Sequence, residues 1–272
     1  MNVDAYLRRI GLGARPPATL AGLTTIHRAH ALAIPYENID VQLGSPVTTD
    51  IAPIYEKIVT RGRGGWCYEM NGILGWALGE LGFKVTRATG SVMREAAGDA
   101  NNGNHLVLRV DLPQGLHLAD VGFGDGPRDP IKVAPGAFHS AGFDFSLRRV
   151  DEGWWRLIND PRGGAPSFDF NLDPADESLL AEKCDFLQTA PVSPFVQNLV
   201  LQRDVPHGLE ILRGRTVRSI RADGIRDRVM GSADELVATL RTVFALDVPD
   251  VALLWPKIVA RHEEFMAQKA NA

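Results

Sequence analysis

Apolar and polar positions recur along this chain with two different periods, and the switch between them divides it. Over the first 83 residues the period is that of a helix. Asp4 reads as the N-cap of a short helix over 4–12 with Tyr6, Leu7 and Ile10 inward, broken by Pro16-Pro17. A second helix, about 18–33, presents Leu20, Leu23, Ile26 and Ala31, with His27 and His30 as ordinary helix histidines. Pro35-Tyr36-Glu37-Asn38-Ile39 ends it as a positioned turn, and 51–61 gives a third helical pattern. From Cys67 the apolar positions run Met70, Ile73, Leu74, Ala77, Leu78 and Leu81, and Gly82 stops the helix.

Beyond Gly82 the period falls to two. Residues 83–89 alternate as a strand does, 98–104 is a loop by composition, and 105–112 is a strand. Pro113-Gln114-Gly115 turns the chain into a return strand over 116–121. Further short strands at 143–150 and 153–159, separated by Pro and Gly, predict an antiparallel sheet or small barrel. The last third mixes both periods. Cys184 lies in a buried helix, and Pro191-Val192-Ser193-Pro194 marks a boundary. Strand-like segments follow at 197–203, 209–214 and 216–221. Ser232 with Glu235 makes a capping box that opens a helix with Leu236, Leu240, Val243 and Phe244 inward. A final helix carries Ile258, Val259 and Phe265.

Composition narrows the function classes. The 272 residues are 45% hydrophobic and 23% charged, an ordinary globular balance. A net charge of −4 without runs of like charge argues against nucleic acid or an anionic membrane as partner. Two distant cysteines give neither a disulfide framework nor zinc spacing, so no metal is expected. The N-terminal residues lack the apolar stretch of a signal peptide, and no run approaches 18 apolar residues. The expectation is a soluble, cytoplasmic protein.

The chemistry concentrates in Arg61-Gly62-Arg63-Gly64-Gly65-Trp66-Cys67-Tyr68-Glu69-Met70-Asn71. Cys67 opens a helix, where unpaired N–H groups and the positive end of the dipole favour thiolate. An unperturbed thiol is only about 3% ionised at neutral pH, and lowering its pKa by three takes roughly 4 kcal/mol. A helix N-terminus offers about 0.3–1 kcal/mol. A reactive Cys67 therefore requires a cationic partner, most simply a histidine. His105 starts the first strand of the central hairpin and Asp120 stands near the end of its return, completing a nucleophile–base–orienter set. A tight hairpin centred on Gln114 places His105 nearer Phe123, so the pair requires a wider turn or a bulge. By spacing alone the bland alternatives stand beside this reading: a buried Cys67, a structural His105, and an Asp120 that caps the following glycine turn.

The segment Arg63 to Asn71 resembles the active-site segment of the arylamine N-acetyltransferases, with Trp66 and Tyr68 in place of the usual phenylalanines. Asn104-His105-Leu106-Val107-Leu108 and Leu118-Ala119-Asp120-Val121-Gly122-Phe123-Gly124 resemble that family's histidine and aspartate segments, in the same order. Pro35-Tyr36-Glu37-Asn38 is similar to its N-terminal Pro-Phe-Glu-Asn element. The resemblance implies an α+β fold: a helical bundle over 1–83 carrying the nucleophile, a β-barrel over 84–190 carrying His105 and Asp120, and an α/β lid over 191–272. It implies acetyl transfer from acetyl-CoA to arylamines, arylhydrazines or arylhydroxylamines through an acetyl-Cys67 thioester, with ping-pong kinetics. Backbone N–H groups of Cys67 and Tyr68 are candidates for the oxyanion site. Phe123 and Tyr68 are candidates for the acceptor site, and Asn101, Asn102, Gly124 and Gly126 for contacts to CoA. A homodimer is left open. The competing readings are a macrolactam-forming amide synthase of the same fold, a papain-like hydrolase, and a non-catalytic small-molecule binding module.

Overall fold

The computed structural model describes the backbone of residues 1–270 and the side chains of 1–268. The N-terminal region is helical: α1 (Val3–Arg9), α2 (Leu20–Ala33), α3 (Ile39–Leu43), α4 (Ile51–Tyr55) continued by a π turn (Glu56–Thr60), and α5 (Cys67–Glu80). Asn2, not Asp4, caps α1; its side chain accepts from the Asp4 and Ala5 amides, and the helix begins one residue before Asp4. Tyr6, Leu7 and Ile10 are buried as expected, in one cluster with Leu23, Ile26, Ile73, Leu74 and Leu78.

The middle region is a single antiparallel sheet. Its strands are β2 (Lys84–Val92), β3 (His105–Leu112), β4 (Gly115–Ala119), β5 (Ile131–Lys132), β6 (Gly136–Ser140), β7 (Phe143–Asp151), β8 (Trp154–Ile158) and β9 (Ser167–Pro174). They run in the order β5-β4-β3-β2-β9-β8-β7-β6. The short helix α6 (Arg94–Ala97) and a 3₁₀ turn (Gly98–Asn101) fill the connection from β2 to β3, where composition indicated only a loop.

The last region holds α7 (Glu177–Thr189), α8 (Pro194–Gln197), β10 (Val200–Val205), β11 (Gly208–Arg213), β12 (Thr216–Arg221), β13 (Gly224–Val229), α9 (Ala233–Thr242) and α10 (Trp255–Ala270), the last preceded by a 3₁₀ turn (Pro249–Leu254). β10 to β13 form an antiparallel meander, and a two-residue strand from the helical region, β1 (Tyr36–Glu37), adds to its edge against β10. Phe265 is 58% exposed, because α10 buries Ile258 near its start and then leaves the core. Among the described residues, no helix is long and apolar enough to cross a membrane.

One packing relation sets the site. α5 lies along β3, with Gly75 facing the Leu108 side chain, where an added Cβ would come within 3.0 Å. Four residues earlier, Asn71 donates to the Leu106 carbonyl, and four earlier again the Cys67 thiol lies 3.9 Å from the Asn104 carbonyl. Each helical step of four residues (about 6 Å) matches two residues of strand (about 6.8 Å). The start of the helix is thereby delivered to the start of β3, beside His105.

Candidate active site

Cys67 opens α5 in a buried cluster with Tyr36, Trp66, Tyr68, Leu106, Leu180 and Cys184, and is 4% exposed. Its thiol sits against the strand backbone on both sides of His105, at Asn104 and at Leu106. The His105 Nε2–H donates to Asp120 Oδ2 at 2.8 Å. An ionised carboxylate only accepts, so this bond places the proton on Nε2 and leaves Nδ1 as the exchanging nitrogen. The ring stands against Phe123 and Phe168, with centroids 6.0 and 5.0 Å away.

The meeting of His105 and Asp120 needs neither a wide turn nor a bulge. Pairing of β3 with β4 is regular from Leu112↔Gly115 to Leu108↔Ala119 across a two-residue turn. It stops there. Continuing the ladder would set Gly122 opposite His105; instead the chain leaves the sheet after Ala119 and Asp120 turns back to the histidine. The departure is held by hydrogen bonds. Asn71 Nδ2 donates to Asp120 Oδ1 at 2.7 Å, the Gly122 amide donates to the same oxygen at 2.8 Å, and the Val121 amide donates to Asn71 Oδ1 at 2.9 Å. On the far side, the Asp120 amide donates to His27 Nε2, whose Nδ1–H donates to the Arg128 carbonyl. Gly122 then passes so close to Cys67 that a Cβ there would lie 2.8 Å from its Cα. Only glycine fits.

Electrostatics distinguish the three groups. Burial alone would raise the Asp120 carboxyl, but His105, Asn71 and the Gly122 amide hold it below its ordinary value. Burial lowers the His27 imidazole, in accord with its accepting nitrogen. Burial pushes the Cys67 thiol well above its ordinary range, and nearby Cys184 and Asp120 add to this, so the helix start alone falls short of making a thiolate. Backbone groups of Leu106 and Tyr68 act the other way without reversing it. A thiolate in such surroundings requires a positive charge formed beside it.

Other residues singled out from sequence take various places. Phe123 lines the His105 ring and packs on Phe168 at 4.8 Å. Tyr68 is fully buried with its hydroxyl donated to the Gly103 carbonyl, so it braces the strand entrance. Gly124, at φ +89°, lies where a Cβ would collide with the Gln202 side chain; Gly126 has ordinary room. Asn101 Nδ2 donates to the Val92 carbonyl and Asn102 Nδ2 to Asp99, which shapes the β2–β3 connection. Asn71, His27 and Lys57 were given no role from sequence. Asn71 had a signal, standing four residues after Cys67 on the same helical face; the other two had none, since their partners come from distant segments.

A family model described as N-acetyltransferase matches residues 19–253. The arylamine N-acetyltransferase of Mycolicibacterium smegmatis is 34% identical, covering 93% of this chain and 94% of that protein. Its solved structure superposes with a TM-score of 0.86 at 33% identity, over 95% of this chain and 97% of that one. The Mycobacterium marinum arylamine N-acetyltransferase, solved in complex with CoA, gives a TM-score of 0.84 at 32% identity, over 96% and 98% of the two chains.

Proposed function

The chain belongs to the arylamine N-acetyltransferase family, and from that premise we propose that its acetyl-CoA-dependent acetylation of arylamines runs through a thioester on Cys67, with His105 as the proton carrier and Asp120 as its orienter. The observation that carries this is the 2.8 Å bond from His105 Nε2 to Asp120 beside a cysteine at a helix start.

In the first half-reaction the Cys67 proton passes to His105 and the thiolate attacks the acetyl carbonyl of acetyl-CoA. A carbon–sulfur bond forms to Cys67, the bond to the coenzyme sulfur breaks, and the departing thiolate takes the proton from His105. CoA leaves as the free thiol. In the second, the amine attacks the acetyl-cysteine, His105 accepts its proton, and Cys67 departs as thiolate, restoring the ion pair. Asp120 stabilises the imidazolium each time it forms. The amides of Cys67 and Tyr68, in the first turn of α5, face the region where negative charge develops on the carbonyl oxygen. Burial serves the acyl-enzyme by keeping water from the thioester, which favours transfer over hydrolysis. Phe123 supplies an aromatic wall to the acceptor, and Asn101, Asn102 and the Gly124–Gly126 backbone are the candidate contacts to CoA.

Intact mass after mixing with acetyl-CoA alone tests the reading. A gain of about 42 Da, lost on adding an arylamine and absent in Cys67→Ser, is expected. Residual transfer by a folded Cys67→Ser protein overturns the nucleophile assignment.

A further inference from the structure

A second buried polar cluster adjoins the nucleophile and has no part in the proton relay. Lys57, on the π turn before the glycine loop, places Nζ 2.9 Å from both oxygens of Glu69 and 2.9 Å from Asp40 Oδ2, with Glu37 Oε1 at 3.9 Å. Arg63 closes the cluster through Glu37 Oε1 at 2.8 Å and Asp40 Oδ1 at 2.9 Å. Five charged side chains, four from separate elements and Arg63 from the glycine loop, meet almost out of contact with water.

The cluster grips the backbone that leads into Cys67. Glu69 Oε2 accepts from the amide of Trp66, the residue immediately before the nucleophile. At Gly65 an added Cβ would lie 2.8 Å from Glu69 Cβ and 2.9 Å from its Oε2. At Gly64 it would lie 2.1 Å from the Pro35 carbonyl oxygen and 2.8 Å from Glu37 Cγ. Gly65 thus lies against the Glu69 side chain, and Gly64 against the Pro35 backbone and the Glu37 side chain, so a Cβ at either position would push on this cluster.

Building on the thioester reading, we propose that Glu69 and Lys57 are positioning residues for the Cys67 nucleophile, and that their cluster slackens its hold when it takes up a proton. Three carboxylates face two cations, so the fully ionised cluster carries one buried negative charge in excess, and a single proton neutralises it. Glu69 is the group placed to accept it. Burial pushes its carboxyl up to about 7, with Lys57 opposing and Glu37 adding to the rise. The other titratable groups facing it are Tyr36 and Cys184, both pushed up by burial and both neutral throughout this range. A protonated Glu69 gives up its ion pair with Lys57 and its charge-assisted bond to the Trp66 amide, and the start of α5 gains freedom. A misplacement of about 1 Å at a reacting group can cost about 10²-fold.

The test compares wild type with Glu69→Gln in single-turnover uptake of acetyl from acetyl-CoA, read by intact mass across neutral pH. Both proteins share the Cys67–His105 relay, so its own titration cancels in the ratio of their rates. The ratio is expected to be about tenfold in favour of wild type near pH 8.5 and to approach one near pH 6. A ratio that is one throughout, or that stays constant with pH, overturns the proposal. A wild type that takes up no acetyl overturns the thioester reading instead; the same ratio is then read from alkylation of Cys67 by iodoacetamide. If Glu69→Gln does not fold, the Trp66 amide resonance of Cys67→Ala is followed with pH. A midpoint near 7 is expected, and a flat response overturns the proposal.

Discussion

Asp120 and Glu69 are both buried carboxylates bound to the same helix, on two sides of the same cysteine, yet their acidities move in opposite directions. Asp120 faces His105, the Asn71 amide and a backbone N–H, and every contact rewards its charge. Glu69 has Lys57, but Lys57 is shared with Asp40 and Glu37, so negative charge outnumbers positive. Burial raises both, and for Glu69 it is the largest contribution. What sets the two apart is how far the donors and cations around each carboxylate outweigh it. The first environment holds a carboxylate ionised, and the second leaves one charge too many.

The sharpest way to break the Asp120 side is Asp120→Asn. An amide there can hold the imidazole in the wrong tautomer, and acetyl uptake is expected to fall about 10²–10⁴-fold with the fold retained. Near-normal rates would mean that another carboxylate orients His105. Lys57→Met attacks the other side. It leaves three buried carboxylates with one guanidinium and is expected to cost about 3–5 kcal/mol in urea unfolding at pH 8, and less at pH 6, where protons replace the lost cation. An equal cost at both pH values would show that the carboxylates do not compensate in this way.

Asp125 extends the comparison to a carboxylate with no cation in hydrogen-bonding contact. It accepts from the Gly164 amide, and burial pushes it up to about 6. A carboxyl whose folded pKa is raised favours the folded state at low pH and loses that advantage as pH climbs through the folded value. Relative to Asp125→Asn, the wild type should therefore lose about 2 kcal/mol of stability between pH 4 and pH 8. A pH-independent difference would place the charge of Asp125 in water rather than in the interior.

The legible parts of the site were those carried by contiguous residues. The helix from Cys67, the strand from His105 and the position of Asp120 follow from local period and spacing, and the grouping of motifs pointed to the family. Less legible were the ends of elements and their partners. Asn2 displaced Asp4 as a cap because it lies two residues earlier, just ahead of Val3, and can reach two free amides. The burial that raises the Cys67 thiol was not legible, since a helix start can be recognised from sequence but the dryness around it cannot.

By itself the sequence determined which groups stand where along the chain: a cysteine at a helix start, a histidine at a strand start, a carboxylate beyond a hairpin, and glycines around them. Hydrogen bonding within helices and hairpins is local, so a short window of residues suffices to specify it. Only the tertiary structure decided that the ladder ends at Ala119, that Asn71 and His27 hold the turned-back Asp120, and that Lys57 is enclosed by three acids. Each of those contacts joins segments far apart in the chain. Its energy depends on how many donors, cations and water molecules the folded interior leaves around a charge, and that number exists only once the distant segments have met.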